Sequence, residues 1–244
     1  MEKYLLRWIN DTQLVEASAT HLRCYNRDGQ LLASRPEGAY LLAYNPVTDV
    51  VRYLVRPKEV GGDCTFRDWH WQTGGVEDIG WGSIYTHCCA FDGKGNFAHG
   101  GDWEDGGYWG GIDSTGQTVG GASSMPVLCS MAFSPDGSRL LLGARWHYLA
   151  IWPFGSASRR AEKTFEVSGG IVNAVAWSDS GTYIAALSAN QRLLVWDVQL
   201  DLRVANMPTR VNYELSHHQI SFVPGAEVFV TDFRHAGLWS WDNF

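Results

Sequence analysis

An aromatic residue closes a short apolar run at Trp8, Tyr44, Phe91, Phe133, Trp177 and Phe222, at intervals of 36, 47, 42, 44 and 45 residues. A period of that length marks one supersecondary unit used repeatedly, because a unit this small cannot bury its apolar face alone. The plainest copy is residues 171–198. Val172, Ala174 and Ala176 alternate with Asn173, Val175 and Trp177, and the turn Ser178-Asp179-Ser180-Gly181 follows. A second apolar run, Tyr183 to Leu187, and a polar turn, Ala189-Asn190-Gln191, lead to Leu193–Trp196. Each run has the length of a strand, and each break carries turn formers. Residues 127–152 and 219–242 repeat the plan, with turns at Ser134-Pro135-Asp136-Gly137 and Pro224-Gly225. Residues 84–113 and 4–26 are weaker copies. In residues 39–72 a long irregular stretch separates Val50–Val55 from Phe66–Trp71. Outer-strand candidates follow several units, at Gln30–Ser34, Gln117–Gly121, Lys163–Val167 and Leu202–Asn206.

Composition agrees with many short strands. Of 244 residues 27 are Gly, 13% are aromatic and only 18% are charged, against about 25% in an average soluble domain. The net charge of −7 weighs against nucleic-acid binding, which needs a basic face. No apolar run approaches the roughly 18 residues of a membrane helix, and the opening MEKYLLRWIN reads as no secretory leader, so a cytoplasmic location is expected. The five cysteines are odd in number and contain no Cys-x-x-Cys pair, which argues against both a disulfide framework and a zinc site. Adjacent Cys88 and Cys89 should point to opposite faces of a strand.

The run Phe133–Gly137 (FSPDG) and the Trp-Asp pairs Trp196-Asp197 and Trp241-Asp242 resemble the markers of the WD-repeat β-propeller family. The resemblance is specific in the last three units, suggestive in the first and third, and thin in the second. The family's Gly-His dipeptide is absent. The resemblance implies an all-β fold, a β-propeller of about six four-stranded antiparallel blades with the last blade three-stranded. The single domain would span 1–244, with blades at about 1–36, 37–80, 81–122, 123–168, 169–210 and 211–244. Trp152, Trp196 and Trp241 become core wedges between blades. The sixth unit ends after its third strand, and no segment ahead of the first unit is expected to complete it. The 238–242 edge is therefore open to strand addition by a partner.

The resemblance also implies a non-catalytic scaffold that binds a protein through its loops, where functional residues concentrate. The loops between second and third strands repeat Arg, Trp and His, and exposed Arg and Trp are typical interface anchors. The candidate partner-binding residues are His21, Trp103, Arg145, Trp146, His147, Arg192, Arg234 and His235. On an acidic chain they would form a locally basic mouth suited to an acidic protein segment. The alternative is a lectin-like or small-ligand site in the Trp-rich region 61–111, built on Trp69, Trp71, Asp102, Glu104 and Trp109. There, rings would stack and carboxylates would fix hydroxyls. A calcium site from Asp102, Glu104 and Asp105 matches no loop of established spacing. No nucleophile elbow, zinc-protease helix or phosphate loop is present, so neither catalysis nor a cofactor is expected.

Overall fold

A computed structural model describes residues 5–9, 12–55, 64–103, 106–156, 160–209, 219–223, 227–231 and 236–240. These residues fold entirely as strands and turns, in six antiparallel sheets each built from consecutive strands. The first sheet holds β1 (Leu5–Trp8), β2 (Gln13–Ala17), β3 (Leu22–Asn26) and β4 (Leu31–Arg35). The second holds β5 (Leu41–Asn45), β6 (Val50–Val55), β7 (Cys64–His70) and β8 (Gly75–Gly82). The third holds β9 (Thr86–Phe91), β10 (Phe97–Trp103), β11 (Gly106–Ile112) and β12 (Thr118–Met125). The fourth holds β13 (Leu128–Phe133), β14 (Arg139–Ala144), β15 (Tyr148–Pro153) and β16 (Lys163–Glu166). The fifth holds β17 (Val172–Trp177), β18 (Tyr183–Ser188), β19 (Arg192–Asp197) and β20 (Leu202–Pro208). The sixth, among the described residues, holds three strands: β21 (Gln219–Val223), β22 (Glu227–Thr231) and β23 (Ala236–Ser240).

The first strand of each sheet lies beside the first strand of the next, from β1 and β5 through to β17 and β21. The sheets are thus blades of a propeller, with first strands innermost. A buried cluster fills each seam between consecutive sheets. Val15, Leu22, Tyr53 and Trp69 lie between the first and second sheets; Ala43, Leu54, Phe66 and Phe97 between the second and third. Trp109, Leu128 and Trp152 fill the third seam; Leu149, Phe165 and Trp196 the fourth; Leu187, Val195 and Ile220 the fifth. Trp152 and Trp196 are wedges as expected, while Trp241 lies outside the described residues. Cys88 enters the seam toward the fourth sheet and Cys89 the seam toward the second, the opposite faces that adjacency in a strand requires.

The turns recur with the blades. In the fourth sheet Ser134 N–H bonds the Arg139 carbonyl, and Gly137 N–H bonds the Ser134 carbonyl, both at 2.9 Å. Ser178, Tyr183 and Gly181 do the same in the fifth sheet. Gly137 has φ +72°, a conformation that other L residues adopt only with strain. A Cβ there would stand 2.2 Å from Asp92 Oδ2.

The second sheet departs most from its sequence reading. The expected run Phe66–Trp71 is β7, which begins two residues earlier at Cys64, and β8 follows as a complete outer strand that was not expected. Residues 56–63 of the stretch expected to be irregular lie outside the described residues. β8 reads GVEDIGWG, with three glycines and two acids. Pairing to β7, bulged between Phe66 and Arg67, holds it in place of intrinsic strand preference.

Candidate functional site

In an antiparallel four-stranded blade, the loops between second and third strands share one end with the links from sheet to sheet. Turns between first and second strands, and between third and fourth, share the other end. Three features build the first end across the third to fifth sheets.

The first is a repeated bulge on the innermost strand. Pairing with the second strand skips His87 in β9, Cys129 in β13 and Asn173 in β17. Past each skip the second strand rejoins the incoming link: Asp102 N–H bonds the Tyr85 carbonyl at 2.9 Å, Arg145 N–H that of Val127 at 3.0 Å, and Ala189 N–H that of Ile171 at 2.8 Å. A bulge re-aims the skipped side chain, so one residue per blade is turned out at the same height. His87 is exposed, and Cys129 and Asn173 are half-buried. Arg145 lies near two of them. Partial desolvation of the ring holds the His87 pKa below its ordinary value although the residue is exposed, Asp102 acts to raise it, and Arg145 acts more weakly to lower it. Burial raises the Cys129 thiol pKa against the opposing pull of Arg145.

The second feature is the hairpin Arg145–Tyr148. Trp146 and His147 both have positive φ, +57° and +66°, and Tyr148 N–H reaches the Arg145 carbonyl at 3.4 Å. This is a two-residue turn normally filled by Asn-Gly, and a non-Gly residue held there carries about 1–2 kcal/mol of strain. The neighbouring link supplies the restraint. His147 N–H bonds the Gly170 carbonyl at 2.6 Å, and His147 Nδ1 lies 2.8 Å from the Val167 carbonyl oxygen and 3.3 Å from the Gly170 nitrogen. The turn leaves Trp146 70% exposed.

The third feature is the link into β9. Thr86 N–H bonds the Ser83 carbonyl, Tyr85 N–H bonds Ser83 Oγ at 3.1 Å, and Thr86 Oγ1 meets the Tyr108 hydroxyl at 2.8 Å. So pinned, the link presents Ile84 and Tyr85, 50% and 49% exposed, at the same end as Trp146.

The sequence candidates fare unequally. Arg145 and Trp146 are exposed here, and His147 serves mainly to clamp their turn. Arg192 sits at this end, but its guanidinium is committed to Asn206, with Nε 2.7 Å from Oδ1 and Nη2 2.7 Å from the carbonyl oxygen. His21 is drawn into its own loop by Ser18 Oγ at 3.0 Å and by Thr20. The backbone of Trp103 ends β10, and its side chain lies outside the described residues, as do Arg234 and His235. Ile84, Tyr85 and the bulged residues were not singled out from the sequence. Their one local signal is a glycine near the bulge: Gly101 in β10 and Gly143 in β14 have no room for a Cβ.

The alternative ligand site is not assembled. Trp69 and Trp109 are 1% and 2% exposed and lie in different seams, so neither offers a ring face to a ligand. Trp71 follows β7 at the opposite end from Asp102, with its Nε1 3.4 Å from Asp49 Oδ1. Glu104 and Asp105 lie outside the described residues. Among the described residues no group of three or more His, Cys, Asp or Glu side chains is placed to hold a metal, and no helix is long and apolar enough to cross a membrane.

Residues 160–197 match the family model described as WD domain, G-beta repeat. The match begins just before β16 and ends at Asp197, the last residue of β19. No curated protein matches the chain.

Proposed function

We propose that this chain, whose residues 160–197 match the WD-repeat family model, is a protein-interaction scaffold whose partner docks on the loop end of the third to fifth sheets. The observation that carries this reading is Trp146, held 70% exposed on a strained turn that two hydrogen bonds to the next link restrain. Backbone strain persists only where surroundings enforce it, and it gathers at binding sites. Trp is also among the residues that dominate interface energetics. Ile84 and Tyr85 offer further apolar area at the same end, and Arg145 and His87 offer donors there. Arg145 has no carboxylate within salt-bridge distance among the described residues. The partner segment is therefore acidic, with an apolar side chain that covers Trp146. Scaffolding of this kind needs no cofactor and no catalytic group.

The test is affinity capture from a native extract with quantitative mass spectrometry, comparing the wild type with Arg145→Ala/Trp146→Ala. Loss of a partner by the variant is the expected result. A variant that folds and retains every partner overturns the reading. β23, which ends the sixth sheet among the described residues, is the second place we propose for a partner, by strand addition. Carrying the same partner through the loop-end variant would favour it.

A further inference from the structure

We propose that His99 makes the seam between the second and third sheets an acid-labile joint, which loosens in mild acid ahead of the other seams. His99 stands in β10, facing the second sheet. Its ring is boxed by Phe66 at 5.5 Å, Phe97 at 5.9 Å and Tyr108 at 5.9 Å between centroids. Gly110 lies along the Nε2 edge, where a Cβ would stand 3.1 Å from Nε2, and the residue as a whole is half-buried. Nδ1 is buried with no hydrogen-bond partner.

The charged and titratable groups around this box offer a proton no shelter. From β6 comes Arg52, whose guanidinium lies over the Phe97 ring at 4.6 Å and the Phe91 ring at 4.8 Å. From β7 comes Asp68, but both its oxygens are engaged by Arg52 at 2.7 and 2.8 Å. Cys64 of β7, Cys89 of β9, Tyr108 of β11 and Tyr40, whose hydroxyl donates to Cys64 Sγ at 3.2 Å, share this seam. Arg7 of β1 adds a second guanidinium that acts on Cys89, and burial raises the pKa of Cys89 and Tyr108, keeping both neutral. A protonated His99 would place a second cation beside Arg52 in an apolar seam, with an N–H that nothing accepts.

Burial first, and Arg52 second, hold the His99 pKa down at about 4. An unfolded histidine titrates near 6.5, so the unfolded chain binds the proton first. Stability is complete above the unfolded value and falls as pH drops toward the folded one. The joint is independent of whether the loop end binds a partner.

Hydrogen exchange read by mass spectrometry at about pH 7 and about pH 5, corrected for intrinsic rates, tests this. The expected result is a loss of protection of about tenfold or more in peptides from β6, β7 and β9–β11, well beyond that in β17–β19. His99→Phe keeps the ring and removes both nitrogens, and it should abolish the difference. Equal loss in all sheets, or unchanged acid sensitivity in a folded His99→Phe, overturns the proposal. The imidazole titration of the wild type, followed by NMR, decides the matter without a variant: a pKa near 6.5 overturns it, and a value well below 6.5 supports it.

Discussion

The seam between the fourth and fifth sheets and the seam between the second and third solve the same packing problem with different materials. The former is filled by Leu141, Leu149, Ile151, Phe165, Val172, Ile184, Leu194 and Trp196, all apolar. The latter has a smaller apolar cluster, and beside it lie the Arg52–Asp68 pair and His99. An apolar seam is insensitive to pH and depends on volume. A seam with buried polar groups depends on every partner being present, because a stranded charge costs more than a lost methyl group.

That contrast can be broken in order of expected effect. Asp68→Ala strands the Arg52 guanidinium and should cost about 3–5 kcal/mol, read from urea unfolding. Replacing both partners by apolar residues, Arg52→Met with Asp68→Leu, should recover most of the loss, and failure to recover it would show that the pair contributes more than mutual neutralisation. Leu149→Ala in the apolar seam should cost about 2–5 kcal/mol, with an effect that does not change between neutral pH and mild acid. Gly137→Ala meets both an unfavourable φ and the Asp92 carboxylate, and a loss of about 1–2 kcal/mol in thermal unfolding is expected.

The smallest effect belongs to Asp136 in the same turn. Its pKa is held at about 2, first by the Ser134 hydroxyl and then by the Ser138 backbone and side chain. A depressed carboxylate stabilises the fold above its unfolded pKa, near 4, and loses that contribution as pH falls through the folded value. Asp136→Asn should cost about 0.5–1 kcal/mol at neutral pH, and the gap to the wild type should close between about pH 4 and pH 2. A gap that persists at the acid end would mean that the carboxylate charge is not what the turn uses.

What could be read in advance follows the same division. The fourth and fifth sheets advertise themselves because their strands are dense in Leu, Val, Ile and Ala, and their turns carry Pro-Asp-Gly and Asp-Ser-Gly. β8 carries no such signal, because its conformation is imposed by its pairing with β7. At the loop end, Arg145 and Trp146 were visible as unusual residues in a short loop. Ile84 and Tyr85 were hidden, since two apolar residues before a strand look like part of it. The seam between the fourth and fifth sheets is predicted by residue type alone. Burial of Trp69 and Trp109 was not, because a Trp in a Gly-rich region reads equally as platform or as core, and only the neighbouring sheet decides.

The family match starts before β16 and ends with β19, so the matched unit is not the sheet. The matched segment lends its first strand, β16, to the fourth sheet and supplies β17, β18 and β19 to the fifth. Copying such a unit within a gene adds a link that is already stitched to its neighbour. Cutting the chain near residue 159 would strip β16 from the fourth sheet and bare β15, whereas a cut near residue 169 would leave that sheet whole. Where a fragment of this protein is wanted, the boundary belongs between sheets and not between repeats.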